Sequence, residues 1–259
     1  MNATPEYRQI ESPALRLTYC VVPWDTEAFG FCVAQISRIE LGTGDPTADF
    51  EPFEQWCRQA SAGLVSCRLP HGRLRESAWL ESRGFRFIEM VCRPKLDLQQ
   101  PTPPAAVALA IAPIAASDLA VVEGIAAIAF STGRFLLDPV LDRGLSAQRY
   151  RHWVRTSFAN PQHQVLKAEI DGAIAGFFVV EPRGDGTAYW HLTAIAPGFQ
   201  NRGIGKALWL AMLARHRQAG MLAVETTISM HNTAVLNLYA RLGFRFSSAE
   251  MTFHCTDIR

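Results

Sequence analysis

The spacing of apolar residues in the second half of the chain predicts three consecutive strands, then alternating helices and strands. Two apolar runs, 164–170 and 173–180, flank Asp171-Gly172, a dipeptide typical of a two-residue hairpin turn. A third run over 187–196 follows. The remaining periodicities predict a strand over 108–114, helices over 118–130, 204–219 and 232–242, a helix after Ser146, a strand over 221–228 and a strand pair over 244–246 and 251–255. This order is typical of a mixed α/β sheet with helices on its faces.

The first half of the chain repeats the end of this pattern. Its predicted elements are strands over 15–22 and 32–39, a helix over 53–62, a strand over 64–69, a helix over 75–83 and a strand over 85–90. Residues 81–87 read ESRGFRF, and residues 239–246 read YARLGFRF. We predict that both phrases end a helix at a glycine and begin a strand. Alignment of the two glycines places Leu80 opposite Tyr239.

A proline-rich segment separates the two halves. Residues 99–106 contain three prolines, which lack amide donors and resist helix formation, so an extended linker is expected there. The predicted domains are therefore 1–98 and 107–259.

The overall composition and charge of the chain argue against several kinds of partner and site. The 259 residues carry a net charge of +1, so no overall field attracts a polyanion and we predict no nucleic-acid partner. Six scattered cysteines lack a metal-ligand spacing, which predicts reduced thiols and no metal site. No apolar run is long enough to span a membrane, and the N-terminus lacks a secretory signal. We therefore expect a cytoplasmic protein without a membrane partner.

A glycine-containing loop after the third strand is the first candidate binding site. It comprises Gln200, Asn201, Arg202, Gly203, Ile204 and Gly205. Glycines allow successive amides to point at one ligand, and the start of the following helix adds unpaired N–H groups. The pattern fits an anion such as a pyrophosphate, although strand–helix turns also carry glycines for steric reasons alone.

Two motifs together resemble the GCN5-related N-acetyltransferase (GNAT) superfamily. The Q/R-x-x-G-x-G/A signature matches residues 200–205, and N-x-x-A…L-Y-x-x-x-G-F matches Asn232, Ala234, Leu238-Tyr239 and Gly243-Phe244. The resemblance covers 107–259. It implies a GNAT fold preceded by a degenerate, partial GNAT-like N-terminal domain.

The resemblance also implies acetyl-CoA as cofactor and assigns residues to it. The loop amides of 200–205 would hold the pyrophosphate, and the backbone of Thr193, Ala194 and Ile195 would bind the pantetheine arm. Asn232 matches a residue that contacts this arm, and Tyr239 matches a proton donor to the departing thiolate. Arg202 and Lys206 could pair with phosphates or be ordinary solvated side chains.

The candidate acid has an alternative interpretation, and the base has more than one candidate. A phenol near the thioester can protonate a thiolate, but Tyr239 could equally be a packing residue of an amphipathic helix. Many relatives place a glutamate base where this chain has Thr227. The remaining candidates are Glu225, two residues earlier on the strand, His191, whose pKa suits the task, and a water chain.

A second, finer resemblance concerns the acceptor. W-D-T-E-A-F-G-F at 24–31 and T-G-R-F…D-P at 132–139 resemble stretches of TDP-fucosamine acetyltransferases, with Thr26 and Ala28 departing from the pattern. It implies a nucleotide-linked amino sugar as acceptor. The candidate substrate-binding residues are Trp24, Phe29, Arg134, Phe135 and Tyr150. For Trp24 and Phe29 the alternative is core packing.

The predicted function is acetyl transfer from acetyl-CoA to the amine of a small acceptor by a monomer or homodimer. A different small amine (antibiotic, polyamine or amino acid), a protein N-terminus or lysine, and a non-catalytic acyl-CoA-binding module are the alternatives.

Overall fold

A computed structural model describes residues 5–100, 109–130 and 132–258 and confirms a mixed α/β architecture. The strands are β1 Arg8–Glu11, β2 Leu15–Val21, β3 Cys32–Leu41, β4 Ala62–Pro70, β5 Arg86–Asp97, β6 Ile111–Pro113, β7 Gln164–Ile170, β8 Ala173–Pro182, β9 Thr187–Ile195, β10 Ala223–Thr226, β11 Ile228–Ser229 and β12 Arg245–Cys255. The α-helices are α1 Pro23–Phe29, α2 Thr47–Gln59, α3 Leu74–Ser82, α4 Leu119–Ala129, α5 Arg134–Leu137, α6 Arg143–Ala159, α7 Ile204–Gln218 and α8 Thr233–Arg241. None of these helices is long and apolar enough to cross a membrane.

The chain forms two compact units that interleave along the sequence. Unit 1 comprises Met1–Val91, Arg134–Leu145 and Ser248–Arg259, and unit 2 comprises Cys92–Gly133 and Ser146–Ser247. Residues 101–106 of the predicted linker lie outside the described residues. The domain boundaries 1–98 and 107–259 stay a prediction.

Unit 1 is built on a sheet in the order β1-β2-β3-β4-β12. Its neighbours are antiparallel except for β3 and β4, which run parallel. Strand β12 places Phe253 opposite Cys67 of β4, and both side chains are buried. Phe50 and Phe53 of α2 pack into the same core. The last strand of the sequence thus belongs to the sheet of unit 1, between β4 and β5.

The segment 134–145 is anchored in unit 1 by apolar and charged contacts. The Phe135 ring packs edge-on against Phe29 at 4.9 Å and stacks on His254 at 5.5 Å between ring centres. His254 Nδ1 donates to Asp138 Oδ2 at 2.9 Å, and Arg86 lies 3.2 Å from the same carboxylate. Burial lowers the pKa of His254 to about 4, although the bond to Asp138 acts in the opposite direction. His254 is therefore a neutral donor at neutral pH.

Unit 2 is built on a sheet in the order β5-β10-β9-β8-β7-β6, to which β5 contributes residues 92–97. Only β9 and β10 run parallel. One core lies on the α7/α8 face and contains Trp190, Trp209 and Tyr239. A second core lies on the α4/α6 face and contains Val122 and Leu192. The hairpin predicted at Asp171-Gly172 is confirmed, because both residues have positive φ (52° and 75°), as a type I′ turn requires.

The repeated phrases adopt the same local structure. Gly84 and Gly243 follow α3 and α8 with φ of 85° and 88°. The amide of Phe85 donates to the carbonyl of Leu80 at 3.1 Å, and that of Phe244 donates to Tyr239 at 3.0 Å. Leu80 and Tyr239 are both buried. The two segments therefore share a helix stop, and only the second has a phenol at the aligned buried position.

Several predicted boundaries were wrong. Helix α2 begins at Thr47 instead of residue 53, and α1 forms where only a connection was predicted. The predicted strand pair over 244–246 and 251–255 is the single strand β12. Ser248 within it has φ of 55°, so this strand absorbs an irregular residue without turning back.

Candidate active site

The parallel strands β9 and β10 separate at one point. They pair from Ala223 with Thr187 to Thr226 with Trp190, where β10 ends. Beyond this point the β9 residues 192–195 pair with β8 on one side, and no described strand pairs with them on the other. The free edge exposes backbone donors and acceptors that an extended ligand can bind.

A β-bulge at His191 rearranges the side chains at this separation. Val180 of β8 pairs with Trp190 and Val179 pairs with Leu192, so His191 is an extra residue. Trp190 therefore lies in the α7/α8 core, whereas Leu192 lies in the α4/α6 core. His191 and Leu192 consequently point to the same face of the sheet. Thr193 points to the opposite face.

The glycine loop has the geometry of an anion site. Asn201 and Gly203 have positive φ of 60° and 74°, and Gly203 caps the start of α7. Within the described ranges, no residue accepts a hydrogen bond from the amides of 201–203. A β-carbon on Gly205 would lie 3.1 Å from Ile195 Cδ1, so a side chain there would crowd β9. Unpaired amides at a helix start fit a pyrophosphate.

The other predicted cofactor residues lie around this loop. The Gln200 side chain donates to the Ile195 carbonyl at 3.1 Å, and Arg202 lies over the Phe199 ring at 5.5 Å. Lys206 is exposed. Asn232 caps α8 by accepting from the Val235 amide at 3.3 Å. Their contacts with acetyl-CoA stay a prediction.

Tyr239 lies beneath the separation of the strands. Its side chain is 2% exposed, on the α7/α8 face. Burial raises the pKa of the phenol, and the polar groups of Trp209, Thr193 and Thr226 oppose that rise. Thr226 is the last paired residue of β10, and Thr193 belongs to the free part of β9. The hydroxyl is thus next to the point where the strands part, and protonated at neutral pH.

His191 belongs to a polar cluster on the α4/α6 face. Its Nε2 donates to Glu181 Oε2 at 2.9 Å, and the His163 ring lies 4.7 Å from its own. The rings of Tyr189 and Trp153 contact His191 edge-on at 4.8 and 6.1 Å. Burial and then the charge of His163 lower the pKa of His191, against the effect of Glu181. Sequence reasoning missed Glu181 and His163, because no fixed spacing connects them to His191.

The alternative base Glu225 has a different environment. It lies opposite Tyr189 in the parallel register and 4.0 Å from Lys95. Thr227, which stands where relatives have glutamate, shares a 2.8 Å hydrogen bond with the Tyr189 hydroxyl. Of these groups, His191 alone lies at the bulge.

The predicted substrate-binding residues are divided between the two units. Phe29 and Phe135 are buried in a core of unit 1, and for Phe29 this agrees with the packing alternative. Trp24 is 42% exposed, and Arg134 lies 3.6 Å from Asp25. Tyr150, in unit 2, is buried against Phe130. Contact of these side chains with a substrate stays a prediction.

Comparison with known proteins finds a matching family model and several curated relatives. Residues 134–244 match the sequence model of the acetyltransferase (GNAT) family. The chain is 23% identical over 125 residues to the spore coat polysaccharide biosynthesis protein SpsD of Bacillus subtilis. The aligned region covers 48% of this chain and 43% of the relative. It is 35% identical over 80 residues to L-2,4-diaminobutyric acid acetyltransferase of Nocardia farcinica, with 30% of this chain and 42% of the relative covered. The chain thus spans less than half the length of these curated relatives.

Solved structures share the fold along nearly the whole chain. A GCN5-related N-acetyltransferase from Sphaerobacter thermophilus has a TM-score of 0.65 at 14% identity, covering 94% of this chain and 80% of that one. A tandem GNAT protein from the clavulanic acid biosynthesis pathway has a TM-score of 0.62 at 14% identity, covering 93% and 78%. The expected GNAT fold with a GNAT-like N-terminal part is confirmed. The family model matches residues 134–244, less than half of the chain, and the solved structures show that the chain shares the GNAT fold.

Proposed function

We propose that this protein is an acetyl-CoA-dependent N-acetyltransferase of a small amine. The observation that carries the proposal is the separation of β9 and β10, which has the glycine loop at the end of β9, Tyr239 beneath it and His191 at the bulge. Acetyl transfer requires a site for the cofactor, a base for the attacking amine and a proton donor for the departing sulfur.

The cofactor site consists of the loop and the free edge of β9. The amides of 201–203 and of the first turn of α7 would hold the pyrophosphate, with Arg202 and Lys206 beside them. The backbone of 193–195 would align the pantetheine arm, and the amide group of Asn232 would contact it. Bound there, acetyl-CoA supplies the acetyl group as a thioester.

The proton transfers are assigned to two side chains. Because Nε2 of His191 carries the proton donated to Glu181, Nδ1 has the lone pair that accepts a proton from the attacking amine. Glu181 fixes this tautomer. The lowered pKa of His191 keeps it neutral near pH 7. Tyr239 Oη gives its proton to the departing sulfur. Glu225, which is paired with Lys95, is the second candidate base.

The favoured acceptor is a nucleotide-linked amino sugar. Two arginine–aromatic pairs flank His191: Arg183 lies over Tyr189 at 4.1 Å, and Arg149 lies over Trp153 at 4.8 Å. Aromatic faces suit a sugar or nucleobase, and guanidinium groups suit a phosphate. The similarity to a polysaccharide biosynthesis protein supports the same class.

A small amino acid with a side-chain amine is the second candidate acceptor. The 35% identity to L-2,4-diaminobutyric acid acetyltransferase favours it, and its carboxylate suits the same arginines. Peptide amines and a non-catalytic acyl-CoA-binding role are the remaining alternatives. We further propose a cytoplasmic monomer or homodimer without nucleic-acid or membrane partners.

A thiol-release assay with matched acceptors tests this proposal. The panel pairs a nucleotide-linked amino sugar with the free amino sugar, diaminobutyrate with a diamine that lacks the carboxylate, and a lysine peptide. We expect saturable turnover with the nucleotide-linked sugar and mass-confirmed acetylation of its amine. Turnover with peptides alone would reject the favoured acceptor. Acetyl-CoA binding without turnover of any amine would favour the non-catalytic role.

A further inference from the structure

We propose that His163, Glu181 and His191 form a binding site for one divalent transition-metal ion, Zn²⁺ being the best match. One ligand atom from each of the three side chains lies within 4.8 Å of the other two. They come from separate elements: His163 follows α6, Glu181 belongs to β8, and His191 is the bulged residue of β9. The sequence predicts no metal site because these residues have no characteristic spacing.

The donor set and its spacing suit zinc. Two imidazole nitrogens and one carboxylate oxygen are the three protein ligands of one class of open zinc site. Tetrahedral bonds of about 2.0–2.2 Å place neighbouring ligand atoms about 3.4 Å apart. His191 Nε2 and Glu181 Oε2 are already 2.9 Å apart. A small adjustment of side chains therefore closes the site.

The outer contacts also fit a metal centre. His163 Nδ1 lies 3.1 Å from Ser157 Oγ, so Nε2 of that ring is the nitrogen left for a cation. Arg183, at 3.4 Å from Glu181 Oε2, opposes a cation by its charge. Its side chain is 38% exposed, so it can move into solvent. We therefore expect a reversible site.

Occupation of this site has a consequence that rests on the proposed function. A cation on His191 Nε2 replaces the proton that now bonds to Glu181, and the neutral ring then carries its proton on Nδ1. The lone pair assigned to the attacking amine is lost. Zn²⁺ is therefore expected to inhibit acetyl transfer reversibly, with activity restored by a chelator.

Metal binding is measured without reference to catalysis. We expect the full chain to take one equivalent of Zn²⁺ from a chromogenic chelator and to melt at a higher temperature when it is bound. Co²⁺ should give visible absorption bands without a thiolate charge-transfer band, which excludes the free cysteines. His163→Ala should weaken binding more than the about 10- to 100-fold that loss of an outer partner causes. The exposed His231, outside the cluster, provides the matched control His231→Ala.

The outcomes separate this proposal from the proposed function. Equal Zn²⁺ binding by His163→Ala and His231→Ala, or no binding by the native chain, overturns the metal site whatever the activity. If His163→Ala does not fold, Glu181→Gln, which keeps the side-chain shape, makes the same comparison. Zinc bound without inhibition of an active enzyme keeps the site and rejects His191 as base.

Discussion

The hydroxyl of Tyr239 is the atom whose removal tests the proposed acid most directly. Tyr239→Phe keeps the buried ring and removes only the oxygen beside Thr193 and Thr226. We expect kcat to fall by about 10²- to 10⁴-fold at saturating acetyl-CoA, because the departing sulfur loses its proton donor. Thiol release measures it. Tyr19→Phe, which alters a buried tyrosine of unit 1, is the control. Undiminished turnover would make Tyr239 a packing residue.

The proposed base predicts the acid side of the pH profile. General-base catalysis requires neutral His191, whose pKa lies below the usual 6.5. Therefore kcat/KM should be constant near neutrality and should fall as the pH drops through a midpoint below 6.5. Glu181 raises this pKa by its hydrogen bond and charge, so Glu181→Gln should move the midpoint to still lower pH. A midpoint that Glu181→Gln leaves in place would assign the limb to another group.

Single residues were predictable where a motif fixes them, and unpredictable where only tertiary structure unites them. Tyr239 and Gly203 stand in contiguous motifs, so the sequence alone singles out both as candidate site residues. Glu181 is ten residues before His191 and meets it only because β8 and β9 pair across a bulge. Phe29 and Phe135 illustrate the opposite problem. Both are buried in a core of unit 1, and the sequence of a motif does not distinguish an aromatic side chain that binds a ligand from one that packs in a core.

At the scale of elements, two glycines that flank helix α7 provide a matched test. It distinguishes a loss of acetyl-CoA binding from the effect of backbone strain. Gly203 precedes α7 and Gly220 follows it, and both have a φ of 74°. A β-carbon added at either position would have no neighbouring atom within 4 Å. Each alanine should therefore cost about 1 kcal/mol of stability. Only Gly203→Ala disturbs the amides assigned to the pyrophosphate. We expect its KM for acetyl-CoA to rise about tenfold, with Gly220→Ala unchanged. Equal effects would remove the loop from the cofactor site.

The spacing of apolar residues along the chain predicted most of the helices and strands. The order of β7 to α8 follows the predicted one because alternating and 3.6-residue patterns are unambiguous there, with glycines at the helix ends. The wrong predictions lie where the local sequence favours a structure that the folded chain does not adopt. The polar stretch 247–250 suggests a turn, yet it continues β12, where the Ala249 carbonyl accepts a hydrogen bond from the His71 amide and Glu250 pairs with Pro70 of β4. Pairing between distant segments overrides such local preferences.

In the whole molecule, the strands that follow the two repeated phrases are exchanged: each of them pairs with a strand from the other half of the chain. Strand β5 follows α3 in the first half but pairs with β10 of unit 2 through 95–97. Strand β12 follows α8 in the second half but pairs with β4 of unit 1. The sequence shows the repeat, since local hydrogen bonds determine each helix stop. It does not show the exchange, which depends on pairing between strands far apart in the chain.

This exchange predicts that residues 1–98 do not fold alone. The fragment keeps β5 but lacks β12, so the buried Phe253 is missing and β4 keeps only its β3 partners. It also lacks Phe135 and the Asp138–His254 pair that fill unit 1. We expect a fragment without cooperative thermal unfolding or dispersed amide resonances, whereas the full chain has both. Co-expression with 107–259 should restore a folded complex. A cooperatively folded 1–98 would instead establish the linker-bounded domain and show that unit 1 needs no strand from the second half.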